Sequence, residues 1–216
     1  MIAMVDVKDL ANKAQELHRK GLKPFEIGDE LHLSVDTVNY LLEEGAEGLL
    51  PPSDVKIGWR SIGVSPRRVS LIAQVLADIV AEELKNRNEV VDAVAGIAIN
   101  GVPFASEMAR ILNAELTVYR PPAERTGSGG AFSSNYATPR GKKIVIVDDV
   151  LSTGHAMECA IDDTLKAEGT PLLCIVMVNK SSLNELKGVP LRGMIRARSI
   201  GGTILGGGPL RSFAYK

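Results

Sequence analysis

The stretch Ile144-Val145-Ile146-Val147-Asp148-Asp149-Val150-Leu151-Ser152-Thr153-Gly154-His155-Ala156-Met157 gathers side chains able to do chemistry. An apolar run ends in two adjacent carboxylates, and small hydroxyl residues and a glycine lead into a helical pattern. Backbone N–H groups at such a strand-to-helix corner form a cradle for phosphate. Gly154 permits close approach of backbone to ligand. Asp148 and Asp149 cannot serve the phosphate itself, because like charges repel. They suit hydroxyl groups such as those of a ribose, or a Mg²⁺ ion. Acids immediately before a phosphate cradle imply a sugar phosphate, with hydroxyls near one end and phosphate at the other.

Positioning that corner requires a strand before it and a helix after it, and the flanking pattern supplies both. Lys143–Val147 reads as a short buried strand and Ala156–Lys166 as a helix with Ala156, Ala160 and Ile161 on one side. The alternation continues on either side. Ser65-Pro66 opens a long helix with Val69, Ile72, Leu76, Ile79 and Val80 at helical spacing. Val90–Ile99 is a nearly continuous apolar run, suited to a strand covered on both faces. Phe104–Leu112 reads as helix, and Glu115–Tyr119, Leu172–Val178 and Met194–Ala197 as strands. Strand–helix–strand repetition predicts an α/β domain, a parallel sheet with helices on both faces. In such sheets ligands bind beyond the carboxyl ends of the strands.

The front of the chain differs in character. Residues 1–50 hold 5 Lys/Arg against 10 Asp/Glu, a net charge of −5, while residues 51–216 hold 20 against 16, a net charge of +4. The change falls in a stretch of glycine, paired proline and acids between Glu43 and Asp54, which reads as a linker over 46–56 between a domain at 1–45 and another at 57–216. The front domain is all-α in pattern. Leu10, Ala14 and Leu17 mark a first helix from Asp6 to Lys20 that Gly21 stops. Pro24–Leu31 is a second helix, and Ser34 caps a third over Val35–Leu42. The second and third helices resemble a helix-turn-helix, whose corner projects its second helix into a major groove. On that analogy Ser34, Asp36, Thr37, Asn39 and Tyr40 face DNA; Asn39 suits an adenine edge, and Ser34 or Thr37 a phosphate. The third helix has no Lys or Arg, however, and cations normally supply most of the affinity for DNA. Lys8, Lys13, Arg19, Lys20 and Lys23 are the local cations. The other reading is a module of three small helices for dimerisation or docking. His18 and His32 read as solvated or capping residues rather than ligands.

Composition narrows the class. The 216 residues are 45% hydrophobic and 24% charged, with a formal net charge of −1, which excludes a disordered or strongly basic chain. The apolar runs are too short to span a bilayer, and the first residues lack a signal-peptide pattern, so a cytoplasmic protein is expected. The two cysteines, Cys159 and Cys174, are too few for a disulfide framework or zinc knuckle and read as buried thiols.

From Val145 to Met157 the chain resembles the 5-phosphoribosyl 1-diphosphate (PRPP) motif of type I phosphoribosyltransferases, and by element order the resemblance extends over roughly residues 55–216. It implies that Asp148 and Asp149 contact the ribose 2- and 3-hydroxyls, with Mg²⁺ arriving together with PRPP. The rest of the PRPP site it implies is Val150, Leu151, Ser152, Thr153, Gly154, His155 and Ala156, the turn holding the 5-phosphate. Ala156 stands where the family often has Ser or Thr, so one hydroxyl is missing. His155 is expected to contribute mainly its amide. Ala95–Ala105 resembles the family's pyrophosphate loop, carrying Ile99, Asn100 and Gly101. Arg120 would then face the diphosphate, and 121–140, with Gly127, Ser128, Gly129 and Gly130, resembles the mobile lid.

Orotate phosphoribosyltransferases come nearest, but the cations that neutralise their departing diphosphate are largely absent. Pro121 and Glu124 occupy expected lysine positions, Thr126 the expected histidine, and Asn100 that of a loop lysine. Arg120 and Arg125 remain, the two candidates for catalysis if the protein is active. The resemblance therefore divides. One branch is similar to archaeal orotate phosphoribosyltransferase-like proteins regarded as transcription regulators, and implies a homodimeric DNA-binding regulator responsive to PRPP or a nucleotide. The other implies a working, Mg²⁺-dependent phosphoribosyltransferase acting on orotate or a purine base. A third possibility is a pure assembly module. Trp59, after the linker, reads as a packing residue or as part of a hood over a base.

Overall fold

The structure, a computed structural model, describes residues 7–43, 54–122 and 130–198. Residues 46–53 of the predicted linker, Arg125 and Gly127–Gly129 of the predicted lid, and the glycine-rich tail lie outside these residues. Three short helices come first: α1 (Val7–Arg19), α2 (Pro24–Leu31) and α3 (Val35–Leu42). Ile27, Leu31, Leu33, Val38 and Leu41 bury themselves against Ala14, giving the trio its own small core. Pro24 starts α2, and His32 ends it in the left-handed conformation (φ 54°). The Ser34 hydroxyl accepts the Thr37 amide at 3.2 Å, capping α3 as its sequence predicts.

The larger unit follows: α4 (Arg60–Gly63), α5 (Pro66–Asn86), β1 (Ala93–Ile97), α6 (Gly101–Leu112), β2 (Glu115–Arg120), β3 (Ala131–Phe132), β4 (Lys143–Leu151), α7 (His155–Lys166), β5 (Thr170–Asn179), β6 (Glu185–Leu186) and β7 (Val189–Arg196). The strand order is β3-β2-β1-β4-β5-β7-β6. Strands β2, β1, β4, β5 and β7 are parallel, as expected. The sheet as a whole is mixed, because two-residue antiparallel strands, β3 and β6, close its edges. Two residues carry no readable period, which is why the sequence shows only the parallel centre. The pairing of β4 with β5 carries β4 to Leu151, past the predicted end at Val147.

Side-chain alternation divides the core. Val145, Val147, Leu173 and Ile175 face α5 and α6, whereas Ile144, Ile146, Cys174 and Val176 face α7. Helices thus cover both faces. Because the chain leaves β1 toward one face and β4 toward the other, a crevice opens between these neighbouring strands at their carboxyl ends. This is the topological switch point, where open α/β sheets bind ligands. No helix among the described residues is long and apolar enough to cross a membrane.

Candidate functional site

Two loops frame the crevice. After β1, Ala98, Ile99 and Asn100 turn into α6, and the Ala98–Ile99 peptide is cis. Gly101 then passes so close to β4 that a Cβ there would lie 2.4 Å from the Val147 carbonyl oxygen. After β4, Ser152-Thr153-Gly154 turns into α7, with Gly154 in the left-handed region at φ 87°, where a side chain would be strained. The cavity between the loops measures about 180 Å³, and Asp148, Asp149 and Ala156 line it with residues of the first loop.

The Ser152–Ala156 corner is occupied by an anion from the same chain. Asp29, in the last turn of α2, sets Oδ1 on the Thr153 amide (3.1 Å) and hydroxyl (2.6 Å), and Oδ2 on the Ala156 amide (3.0 Å). The His155 amide donates to Thr153 Oγ1 at 3.2 Å. Donors of Thr153 and Ala156 therefore converge on one carboxylate. The Ser152 hydroxyl oxygen is buried and has no partner among the described residues. The His155 ring packs edge-on against Phe25 of α2, with centroids 4.2 Å apart. Val150 and Leu151 bury their side chains in the core, and Val150 also borders the cavity.

The two acids differ. Asp149 is 2% exposed, and its Oδ2 meets three donors: Trp59 Nε1, Asn100 Nδ2 at 3.2 Å and His32 Nε2 at 3.2 Å. Burial pushes its pKa up, but the hydrogen bond and charge of His32, with help from Trp59, outweigh this and hold the carboxylate below its usual range. Asp148 goes the other way. Burial of its carboxyl, and then the neighbouring Asp149, push it well above the usual range. Among the described residues no group of three or more His, Cys, Asp or Glu side chains is arranged to hold a metal ion.

A second set of contacts clamps the helical trio. Lys180, following β5, donates to the His32 carbonyl oxygen at 2.6 Å and pairs with Asp54 at 2.8 Å. Asp54 in turn accepts the Ser34 amide at 2.7 Å, and Lys56 donates to the Leu31 carbonyl oxygen. Of the residues predicted to face DNA, Asp36 and Asn39 are exposed, whereas Ser34, Thr37 and Tyr40 are half-buried. Ser34 and Thr37 share the cap of α3, their hydroxyls 2.8 Å apart, and Tyr40 packs on the small helical core.

This order of elements, strand ends and loops matches a known domain. A family model described as "Phosphoribosyl transferase domain" covers residues 58–191. The chain belongs to this family. The transcriptional regulator GfcR of Thermoplasma acidophilum is 46% identical over 203 residues, spanning 93% of this chain and 100% of that protein. The regulator of the same name from Picrophilus torridus is 44% identical over 193 residues, covering 89% and 98%. Among solved structures, orotate phosphoribosyltransferase from Aeropyrum pernix is 25% identical at a TM-score of 0.54, covering 65% of this chain and 77% of that one. Adenine phosphoribosyltransferase from Rhodothermus marinus, at 18% identity and a TM-score of 0.52, shares the fold; the match covers 69% and 90%.

In the phosphoribosyl transferase domain, Asn100 turns toward Asp149, and Ile99 projects outward, 76% exposed. Arg120 is exposed at the end of β2, while Pro121 and Pro122 line the cavity. Sequence reasoning missed Asp29, and it read His32 as a capping or solvated residue. His32 is indeed the C-cap of α2, and its ring also meets Asp149. Neither role had a sequence signal, because each partner lies more than a hundred residues away. Trp59 packs, as one of its two readings expects, with its ring 5.4 Å from Phe104, and its N–H also reaches Asp149.

Proposed function

We propose that this protein is a DNA-binding transcription regulator that senses PRPP or a nucleotide through its phosphoribosyl transferase domain. One observation carries the reading: the amides of Thr153 and Ala156 and the Thr153 hydroxyl converge on a single anion, in a crevice lined by no Lys or Arg among the described residues. The buried, unpartnered Ser152 hydroxyl fits a further phosphate oxygen. Asp148 and Asp149 would take the ribose diol, and the backbone of Val150–Ala156 the 5-phosphate. Ile99, Asn100 and Gly101 would wrap the diphosphate. Asn100 and Pro121 at lysine positions favour binding over turnover. Relatives named as transcriptional regulators over nearly their whole length support the regulatory half. In this reading α2 and α3 form the helix-turn-helix, Asp36 and Asn39 face the groove with Thr37, Tyr40 and Ser34 beside them, and a homodimer presents two such units.

Mg²⁺ would accompany the diphosphate rather than reside in the protein. Asp149 Oδ2 already faces three donors, so the pair would meet Mg²⁺ only as it arrives with PRPP. Band-shift titration with genomic fragments at low salt, with and without PRPP, tests the proposal. A specific shift that PRPP alters is the expected outcome, and no shift at any PRPP concentration would end it.

The acidic front domain and the absence of Lys and Arg from α3 favour a second reading, an active phosphoribosyltransferase using Arg120 and Arg125. Release of diphosphate from PRPP with orotate or a purine base would establish it.

A further inference from the structure

We infer that α2 is an internal stand-in for the sugar phosphate, so that ligand and helical domain compete for one seat. The inference rests on the reading of the Ser152–Ala156 corner as a phosphoribosyl site. Asp29 fills the phosphate position with two oxygens on three donors. His32, three residues on, meets Asp149, one of the two acids assigned to the diol, at 3.2 Å. One short segment thus supplies an acceptor where the ligand has phosphate and a donor where it has hydroxyls. The approach is built for closeness: a Cβ on Gly28 would lie 3.0 Å from Thr153 Cγ2 and 2.8 Å from the Leu33 carbonyl oxygen. Glu26 and Glu30 of α2 line the same cavity beside Asp148 and Asp149. With α2 seated, a polyanion meets carboxylates on two sides of the crevice, and its phosphate seat is taken.

The competition is balanced by chemistry. A tethered carboxylate has the advantage of high effective concentration. A phosphate dianion makes stronger charge-assisted bonds to the same donors and has a third oxygen for Ser152. Only a ligand with both phosphate and vicinal diol replaces both contacts, so inorganic phosphate alone is a weak competitor. Binding of the full ligand lifts α2 and, with it, the orientation of α3. The ligand acts by its preference for the undocked state.

Hydrogen–deuterium exchange on the full chain, with ribose 5-phosphate, PRPP or inorganic phosphate, combined with calorimetric titration, tests this. Ribose 5-phosphate and PRPP are expected to speed amide exchange over residues 24–43, and inorganic phosphate to do so weakly. Asp29→Asn is expected to speed that exchange without ligand and to tighten ribose 5-phosphate binding roughly tenfold or more, by removing the docked competitor. Asp9→Asn, which removes the same charge from the exposed face of α1, is expected to leave the affinity unchanged. Equal affinities for wild type and Asp29→Asn, with exchange in α2 unchanged or slowed by ligand, overturn the inference while leaving the binding site standing. Failure of both proteins to bind any of the three overturns the site and the inference together. Should Asp29→Asn not fold, exchange in the wild type decides: faster exchange in α2 with ribose 5-phosphate supports the inference, and unchanged exchange overturns it.

Discussion

Asp149 sits among three donors because Trp59, Asn100 and His32 arrive from three separate parts of the chain. Trp59 is the protein's single tryptophan, so its fluorescence reports directly on this carboxylate. Trp59→Phe keeps the ring against Phe104 but removes one donor to a charged, buried acceptor. Urea denaturation is expected to show a loss of about 1.5 kcal/mol, the low end for such a bond because two donors remain. Gly101→Ala should cost more. A Cβ forced to within 2.4 Å of a carbonyl oxygen in the central strand must push β4 and α6 apart, at roughly 1–3 kcal/mol or above. Gly58→Ala, with nothing within 4 Å of its Cβ, is expected to leave the urea midpoint unmoved.

At the scale of elements, the helical trio is held to the sheet by α2 in the crevice and by the Asp54–Lys180 pair beside it. Both partners of that pair are largely buried, at 7% and 11% side-chain exposure, so losing one leaves the other uncompensated. Burial raises the Asp54 pKa, yet the hydrogen bond from Lys180 and the amides of Ser34 and Val55 outweigh it and hold the carboxylate below its usual value. A folded value below the unfolded one means the pair stabilises above about pH 4 and that this contribution is lost as pH falls through the folded value. Lys180→Met is therefore expected to lower the melting temperature at pH 7 and to flatten its decline toward pH 3. Scanning fluorimetry across that range checks both; parallel curves for the two proteins would show that the pair does not stabilise the docked trio.

For the molecule as a whole, charge decides how DNA would be held. The front domain is acidic, α3 carries no cation, and exposed Lys13, Arg19, Lys20 and Lys23 lie on α1 or just after it. Few phosphates can then be neutralised per subunit, so binding to a specific site should depend only weakly on salt. Lys13→Ala is expected to weaken binding to all sequences alike and to reduce the slope of log affinity on log salt by about 0.9. Asn39→Ala should instead relax discrimination at one base pair by about 1–3 kcal/mol without changing the slope. Fluorescence anisotropy over a salt series distinguishes the two effects, and a steep slope untouched by Lys13→Ala would place the DNA surface elsewhere than on α1.

The sequence by itself determined the parallel centre of the sheet, the helices beside it, and the corner from Asp148 to Ala156. Each of these rests on local periodicity, capping or contiguous residues, which short-range physics writes plainly into the chain. The Ser34 cap and the start of α5 at Ser65-Pro66 were legible for the same reason. Only the tertiary structure decided that Asp29 sits in the phosphate corner, that His32 and Trp59 converge on Asp149, and that two-residue strands close the sheet. Those facts depend on surfaces meeting across ninety or more residues of chain, or on segments too short to carry a period. Two similar acids, Asp148 and Asp149, also acquired opposite shifts in proton affinity only there, because His32 and Trp59 reach Asp149 from distant parts of the chain while Asp148, among the described residues, accepts only its neighbour's amide against a larger burial cost.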